Sequence, residues 1–465
     1  MKTSLAFVLP LLALASGCAP YKYHPAPIAP PALAASLELR SLDDPGLRAW
    51  MSQAAVFEPP AWPITEWDLN TLTLAAYYFN TDMDVARANA AVADAAIKTA
   101  AMKPNPSVGA DAGYETAVES PYLLGFDFSL PIETAGKRGY RIAEAEHLSA
   151  ASRIQVAETA WSVRSRVRQA LVDVLFAQKI AAALRHQESL QSKYADLLEA
   201  RFRAGEIPLP EVTAARIDLS NLRQALRAAE GQEGTARAAL AAAIGIPLSG
   251  LAGKTVAWAE ADRPPAPAAL PGPEIRATAV ENRLDVQSAL ARYEAAQSRL
   301  QLEAARQYPD IDLGPGYAYE EGVHLISLQL ATVLPLRNHN EGPIAEAEAQ
   351  RRAAGAQLLA TQGTVIAETD KALTQYDAAY AVLEEARRST VQAEQQRQTA
   401  YQWLKSGESD QLTAVSADIQ AAVAERARLD ALHQAQLALG SLEDALQRPI
   451  DPATAPALPA KAPRE

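Results

Sequence analysis

Ile142-Ala143-Glu144-Ala145-Glu146 recurs as Ile344-Ala345-Glu346-Ala347-Glu348, a spacing of 202 residues (142 to 344). Five matching residues in an Ala- and Glu-rich chain prove little alone, so the flanks decide. Upstream, Ser129-Leu130-Pro131-Ile132 stands against Val333-Leu334-Pro335-Leu336, and Asn105-Pro106-Ser107-Val108 against Tyr308-Pro309-Asp310-Ile311. Downstream, Ala204-Gly205-Glu206 faces Ser406-Gly407-Glu408. Four landmarks in one order at a nearly constant offset predict a tandem duplication. The breakers Pro264-Pro265-Ala266-Pro267 through Pro271-Gly272-Pro273 mark its junction. The expected divisions are a first repeat over 63–262, a linker over 263–273, a second repeat over 274–447 and a flexible tail over 448–465.

Each repeat reads alike. A helical stretch (about 69–102 and 274–306) runs into a proline and two short alternating segments. Val108, Ala110, Ala112 and Tyr114 alternate with Gly109, Asp111 and Gly113; the return segment sets Leu124, Phe126, Phe128 and Leu130 against Gly125, Asp127 and Ser129. The second repeat sets Ile311, Leu313, Tyr317 and Tyr319 against Asp312, Gly314 and Gly316, then Ile326, Leu328 and Leu330 against Ser327 and Gln329. Such alternation suits a hairpin on a soluble core or a transmembrane barrel strand, apolar toward lipid and polar toward a water-filled lumen. Small residues on the polar face and tyrosines near the strand ends favour the barrel. Asp111, Asp127, Asp312 and Gln329 are then candidate lumen residues.

After each hairpin comes a long helical pattern. No Pro or Gly interrupts Tyr140 to Arg203, where Val163, Val167, Leu171 and Val174 begin a seam continued by Leu190, Tyr194 and Leu197. Ile366, Leu373, Tyr376, Tyr380 and Leu383 form its counterpart between Ile344 and Lys405. Some 60 residues at about 1.5 Å each predict helices of roughly 90 to 100 Å, lengths met in coiled coils. Each ends at a Gly turn, Arg203-Ala204-Gly205-Glu206 or Lys405-Ser406-Gly407-Glu408, and an antiparallel helix follows over about 211–244 and 410–446.

The composition fits a helical protein, with 49% hydrophobic residues but only 6% aromatic ones. A net charge of −12 without a basic tract argues against nucleic acid as a partner. Cys18 is the single cysteine, so an intramolecular disulfide and a Cys-rich metal site are excluded. Lys2 and the short apolar run 5–15 make residues 1–17 a signal peptide. Ala15-Ser16-Gly17-Cys18 resembles a bacterial lipobox, in which the cysteine becomes the new N-terminus and carries the lipid, with palmitate among its chains; an ordinary signal peptide with a cysteine near its cleavage site is the other reading. Residues 18–62, Pro-rich at their start, are expected to be a lipidated tether. No later stretch has about 18 consecutive uncharged apolar residues, so deeper membrane insertion requires strands.

A lipobox, a tandem duplication, two strands per half and paired long helices meeting at Gly-Glu turns together resemble the TolC-like outer membrane factors, over Cys18 to about Gln447. The segment Pro131-Ile132-Glu133-Thr134-Ala135-Gly136-Lys137-Arg138 resembles the CzcC-type branch serving heavy-metal exporters; Lys137 and Arg138 also read as a basic pair at a membrane-facing rim or a helix start. The resemblance implies a mainly helical fold with transmembrane strands, in which three copies close a 12-stranded barrel continuous with a long helical cylinder. It also implies a periplasmic adaptor and an inner-membrane RND-type transporter as partners. The adaptor would dock at the periplasmic tips, matching Arg203, Gly205 and Glu206 in one turn and Lys405, Gly407 and Glu408 in the other; plain helix capping is the alternative role for the glycines. Some relatives place aspartates six and nine residues after the second Gly. Here Thr413 and Ser416 stand there, leaving Asp410 and Asp418 as gate candidates.

Nothing points to catalysis. Leu248 to Thr255 ends like a phosphate-binding loop but lacks the first Gly, and the six histidines show no metal-ligand spacing. The expectation is a passive exit duct without metal or cofactor. A periplasmic adaptor lipoprotein, a structural coiled-coil protein, or a duct for drugs or type I secretion are the alternatives.

Overall fold

The computed structural model describes residues 22–53, 62–116, 119, 121–270 and 275–451; the signal peptide, Cys18 and most of the C-terminal tail lie outside them. Residues 22–40 hold α1 (Pro30–Glu38), with proline in the first turn, where a missing N–H costs nothing. The remainder begins with α2 (Pro45–Gln53), whose Leu47, Trp50 and Met51 join Leu42 in the main core. Within the segment 18–62, expected as a tether, the described residues thus include two helices that start at prolines, and α2 is anchored by buried apolar groups.

β1 (Glu66–Trp67) leads into α3 (Leu69–Phe79) and α4 (Thr81–Ala100). β2 (Ser107–Tyr114) and β3 (Tyr122–Ile132) precede α5 (Lys137–Arg203, 67 residues) and α6 (Leu209–Ile244). After β4 (Thr255–Val256) the second half repeats the series as α7 (Ile275–Asn282), α8 (Leu284–Ala305), β5 (Ile311–Glu320), β6 (Val323–Thr332), α9 (Glu341–Ser406, 66 residues) and α10 (Gln411–Leu446). At the α-helical rise, α5 and α9 are each about 100 Å long.

The helix expected over 69–102 is broken at Asn80, and that over 274–306 at Arg283. Asn80 Oδ1 accepts from the Asp82 N–H at 2.9 Å while its amide donates to the Ala243 carbonyl at 2.9 Å. Arg283, 7% exposed, pairs with Asp285 and Glu368, each at 2.7 Å. In both cases a cap-forming or long-range bond outweighs one turn of continuous helix.

Among the described residues two larger cores hold the helices, with a small third cluster near the tips. The larger gathers α3 almost all round, Val163, Val167, Leu171 and Val174 of α5, Leu240 and Ile244 of α6, and Leu432 and Ala435 of α10. The smaller packs Val365, Ala372 and Tyr376 of α9 on Leu439, Leu442 and Leu446 of α10. Of the seam expected through Ile366, Leu373, Tyr376, Tyr380 and Leu383, Tyr376 and Leu383 are fully buried as expected, whereas at its start Val365 is fully buried and Ile366 is 44% exposed. Likewise Gln191, Ala195 and Leu198 are buried, while Leu190, Tyr194 and Leu197 are half-buried. A straight helix drifts about 20° per heptad against a 3.5-residue pattern, which moves the buried line to adjacent positions. The linker is also packed: Tyr376 Oη donates to the Pro265 carbonyl and Leu270 lies against the smaller core. Just before it, β4 pairs in parallel with β1, and the Gln436 amide donates to the carbonyls of Glu260 and Ala261.

Candidate functional site

The four longer strands form one antiparallel sheet in the order β2-β3-β5-β6. Its register aligns side chains across all four strands. Ala110 lies opposite Phe126, Phe126 opposite Tyr317, and Tyr317 opposite Ile326, so one face is apolar except for His324 and Thr332 at the ends of β6. On the other face Asp111 pairs with Gly125, Asp127 with Gly109 and Gly316, Asp312 with Pro131 and Ala331, and Gln329 with Gly314. The four residues expected to share a face therefore do so. The charged side chains of that face are all acidic: Asp111, Asp127, Asp312 and Glu320. A Cβ at Gly109 would collide with the Asp127 carboxylate, so glycine there makes the room the acid occupies.

The apolar face is bare, with Phe126 48%, Ile326 85%, Leu328 72% and Leu330 68% exposed. At the hairpin end, Tyr114 meets Tyr122 with ring centroids 5.6 Å apart, and Tyr317 Oη lies 2.7 Å from His324 Nδ1. Aromatic groups of this kind gather where hydrocarbon meets water.

At the opposite end the Pro131–Arg138 segment joins sheet to helices. Lys137 Nζ donates to Asp310 Oδ1 at 2.7 Å, and Arg138 Nε donates to the Ala101 carbonyl at 2.8 Å. Arg141 donates to the carbonyls of Ala100 and Met102 and pairs with Glu133 at 2.7 Å. Arg138 and Arg141 cap the open carbonyls at the end of α4. Both members of the expected basic pair are thus turned toward protein partners.

The two helical turns at the far ends lie together. Gly205 (φ 77°) and Gly407 (φ 79°) are left-handed, and the N–H groups of Glu206 and Glu408 reach back to the carbonyls of Arg201 and Trp403, each at 2.9 Å. Ile207 and Leu412 pack on a small cluster of Ala195, Leu198, Val212 and Ala215. Arg203 pairs with Glu199 of its own helix, while the adjoining Arg201 reaches Asp410. Asp410 also caps α10, accepting from the Thr413 N–H at 2.9 Å and its hydroxyl at 2.8 Å. Asp418 accepts from Tyr401 Oη at 2.7 Å and lies 3.7 Å from Arg397. Both gate candidates are thus bonded carboxylates. Arg201, Arg397 and Tyr401 were not singled out in the sequence, because no local pattern links Arg201 to a residue 209 positions away.

Deeper in the helices, Glu443 receives two buried guanidiniums, Arg164 at 3.2 Å and Arg168 at 3.1 Å. Arg168 also donates to the Gln436 carbonyl at 2.9 Å and stacks over Trp258. Asp444 accepts from Trp161 at 3.0 Å and Ser165 at 2.6 Å, while burial pushes its carboxyl upward. Among the described residues no three His, Cys, Asp or Glu groups are placed to hold a metal, and no helix is long and apolar enough to cross a membrane.

Paired helical hairpins of this length feeding a four-stranded sheet with one bare apolar face define the class of TolC-like channel proteins. The chain belongs to the outer membrane efflux protein family, whose model matches residues 76–246 and 276–447, once in each half. It is 28% identical over 236 residues to the cobalt-zinc-cadmium resistance protein CzcC of Cupriavidus metallidurans, a match covering 50% of this chain and 55% of that relative, so the chain spans about half its length. The fold is similar to the outer membrane protein VceC of Vibrio cholerae, with a TM-score of 0.65, 20% identity and coverage of 82% of this chain and 97% of that one. It is likewise similar to CusC, with a TM-score of 0.65, 15% identity and coverage of 84% and 95%.

Proposed function

We propose that the protein is the outer-membrane exit duct of a tripartite efflux pump, passively conducting heavy-metal cations from periplasm to exterior as a homotrimer. The observation that carries this reading is the sheet: a bare apolar face backs a face rich in Gly, Ser and carboxylates, with Leu123, Val323 and Leu325 at its hairpin end, and β2 and β6 are left with unpaired edges. In lipid an unpaired backbone group costs several kcal/mol, so a four-stranded sheet must close with copies of itself. Three copies supply twelve strands, with Asp111, Asp127, Asp312 and Gln329 toward the lumen.

Cation preference is supported by the acidic polar face, which raises the local concentration of positive ions, and by the similarity to CzcC. The tip turns containing Arg203, Gly205, Glu206, Lys405, Gly407 and Glu408 are the docking ends for a periplasmic adaptor. Asp410 and Asp418 act there as ties that hold the ends together. Energy enters from an inner-membrane RND-type transporter, the duct itself needing no cofactor. Cys18 adds a lipid anchor.

Extraction from outer-membrane fractions and sizing, followed by planar-bilayer recording, test the proposal. A heat-sensitive trimer with cation-selective conductance is expected. A monomer released by salt, without conductance, would return the choice to an adaptor or a structural coiled coil.

A further inference from the structure

A cleft of about 810 Å³ opens where the sheet meets the helices. Its cations are Lys137, Arg141, Arg306 and Arg337, against the two acids Glu133 and Asp310, so the lining is positive in a chain of net charge −12. Lys137, Arg141 and Arg306 are paired with Asp310, Glu133 and Glu303. Among the described residues Arg337 makes no ion pair, and it is exposed.

The cleft has an apolar lip. Val333, Leu334 and Leu336 are 79%, 67% and 79% exposed and follow directly on the bare face bearing Leu328 and Leu330. Tyr308, 64% exposed, stands at the same mouth. Bare leucines continuing a lipid-facing strand, then an aromatic and an unpaired arginine, follow the order of a bilayer from acyl chain to headgroup.

We propose that this cleft binds an anionic phospholipid of the inner leaflet of the outer membrane. Its acyl chains lie along Leu330, Leu334 and Leu336, and its phosphate meets Arg337 with Arg306 beside it. This rests on the duct reading, which sets the sheet in the membrane. Charge complementarity and continuity with the sheet's apolar face favour a lipid over a second protein chain. Basic pockets at membrane level are known to hold acidic headgroups.

The test uses the purified, delipidated full-length protein, titrated with phosphatidylglycerol or phosphatidylcholine, with bound lipids counted by native mass spectrometry. Phosphatidylglycerol should be preferred, and Arg337→Gln should cut that preference roughly five-fold, the effect of one arginine near an anionic headgroup. Leu334→Ser combined with Leu336→Ser should weaken binding of both lipids. Equal binding of the two lipids to the unaltered protein, or an unchanged preference in Arg337→Gln, overturns the proposal. Displacement of the lipid by millimolar inorganic phosphate would make this a free-anion site and also overturns it. So does a Leu334→Cys thiol shielded from maleimide, which would place a neighbouring copy on the lip. Conductance of the same preparation separates the two readings: conducting trimers without lipid preference refute the lipid site alone, whereas absence of trimer and conductance refutes the duct.

Discussion

Arg201, in the last turn of α5, donates through Nη2 to the Oδ2 of Asp410, the residue that caps α10. The bond ties the tip of the first repeat to that of the second. A half-exposed pair of this kind contributes about 0.2–1 kcal/mol. Arg201→Ala should therefore shift the tips toward opening by at most roughly five-fold per subunit, read as a larger conducting fraction in planar bilayers. Unchanged gating would show that this pair does not hold the tips.

The same carboxylate sets a pH window. Asp410's carboxyl is lowered to about 2, first by the Thr413 N–H, then by the Thr413 hydroxyl and by Arg201. A depressed carboxyl stabilises the folded tip fully above the ordinary carboxylate range, near 3.9, and loses that stabilisation as pH falls toward 2. Asp410 should not contribute to any pH dependence of gating between pH 5 and 8. A gating transition in that range that disappears in Asp410→Asn would contradict the assignment.

The sheet register predicts opposite outcomes at neighbouring positions. Phe126→Asp puts a charge on the bare apolar face and should reduce trimer recovery from the outer membrane, at about 2 kcal/mol or less per subunit. Asp127→Ala on the other face should leave recovery intact and lower cation selectivity. Greater damage to assembly from Asp127→Ala would reverse the faces.

Glu443 holds two buried arginines across the halves of the chain. Glu443→Gln leaves both guanidiniums in a dry interior without their counter-ion, a loss expected to cost about 3–5 kcal/mol. Thermal unfolding followed by far-UV circular dichroism should show a markedly lower midpoint. A shift within error would mean water or Asp444 neutralises the pair.

Cys18→Ser should abolish incorporation of labelled palmitate while barrel assembly proceeds, because closure depends on strand pairing. Label retained by the variant would place the lipid elsewhere.

The faces of the strands and the existence of two matching halves were legible in the sequence, because alternation and long unbroken helical runs are local properties repeated along one chain. Asp111, Asp127, Asp312 and Gln329 could be set on one face by counting in twos, and no later packing reverses a period of two. Tertiary structure alone decided that Val365 rather than Ile366 enters the core, that Leu47 and Trp50 fold into it, and that Arg201 meets Asp410 and Arg168 meets Glu443. These depend on how helices about 100 Å long cross one another, a geometry in which one residue's drift changes the partner. An arginine in a helix has the same local pattern whether its carboxylate lies four residues away or more than two hundred; only the packed arrangement selects between them.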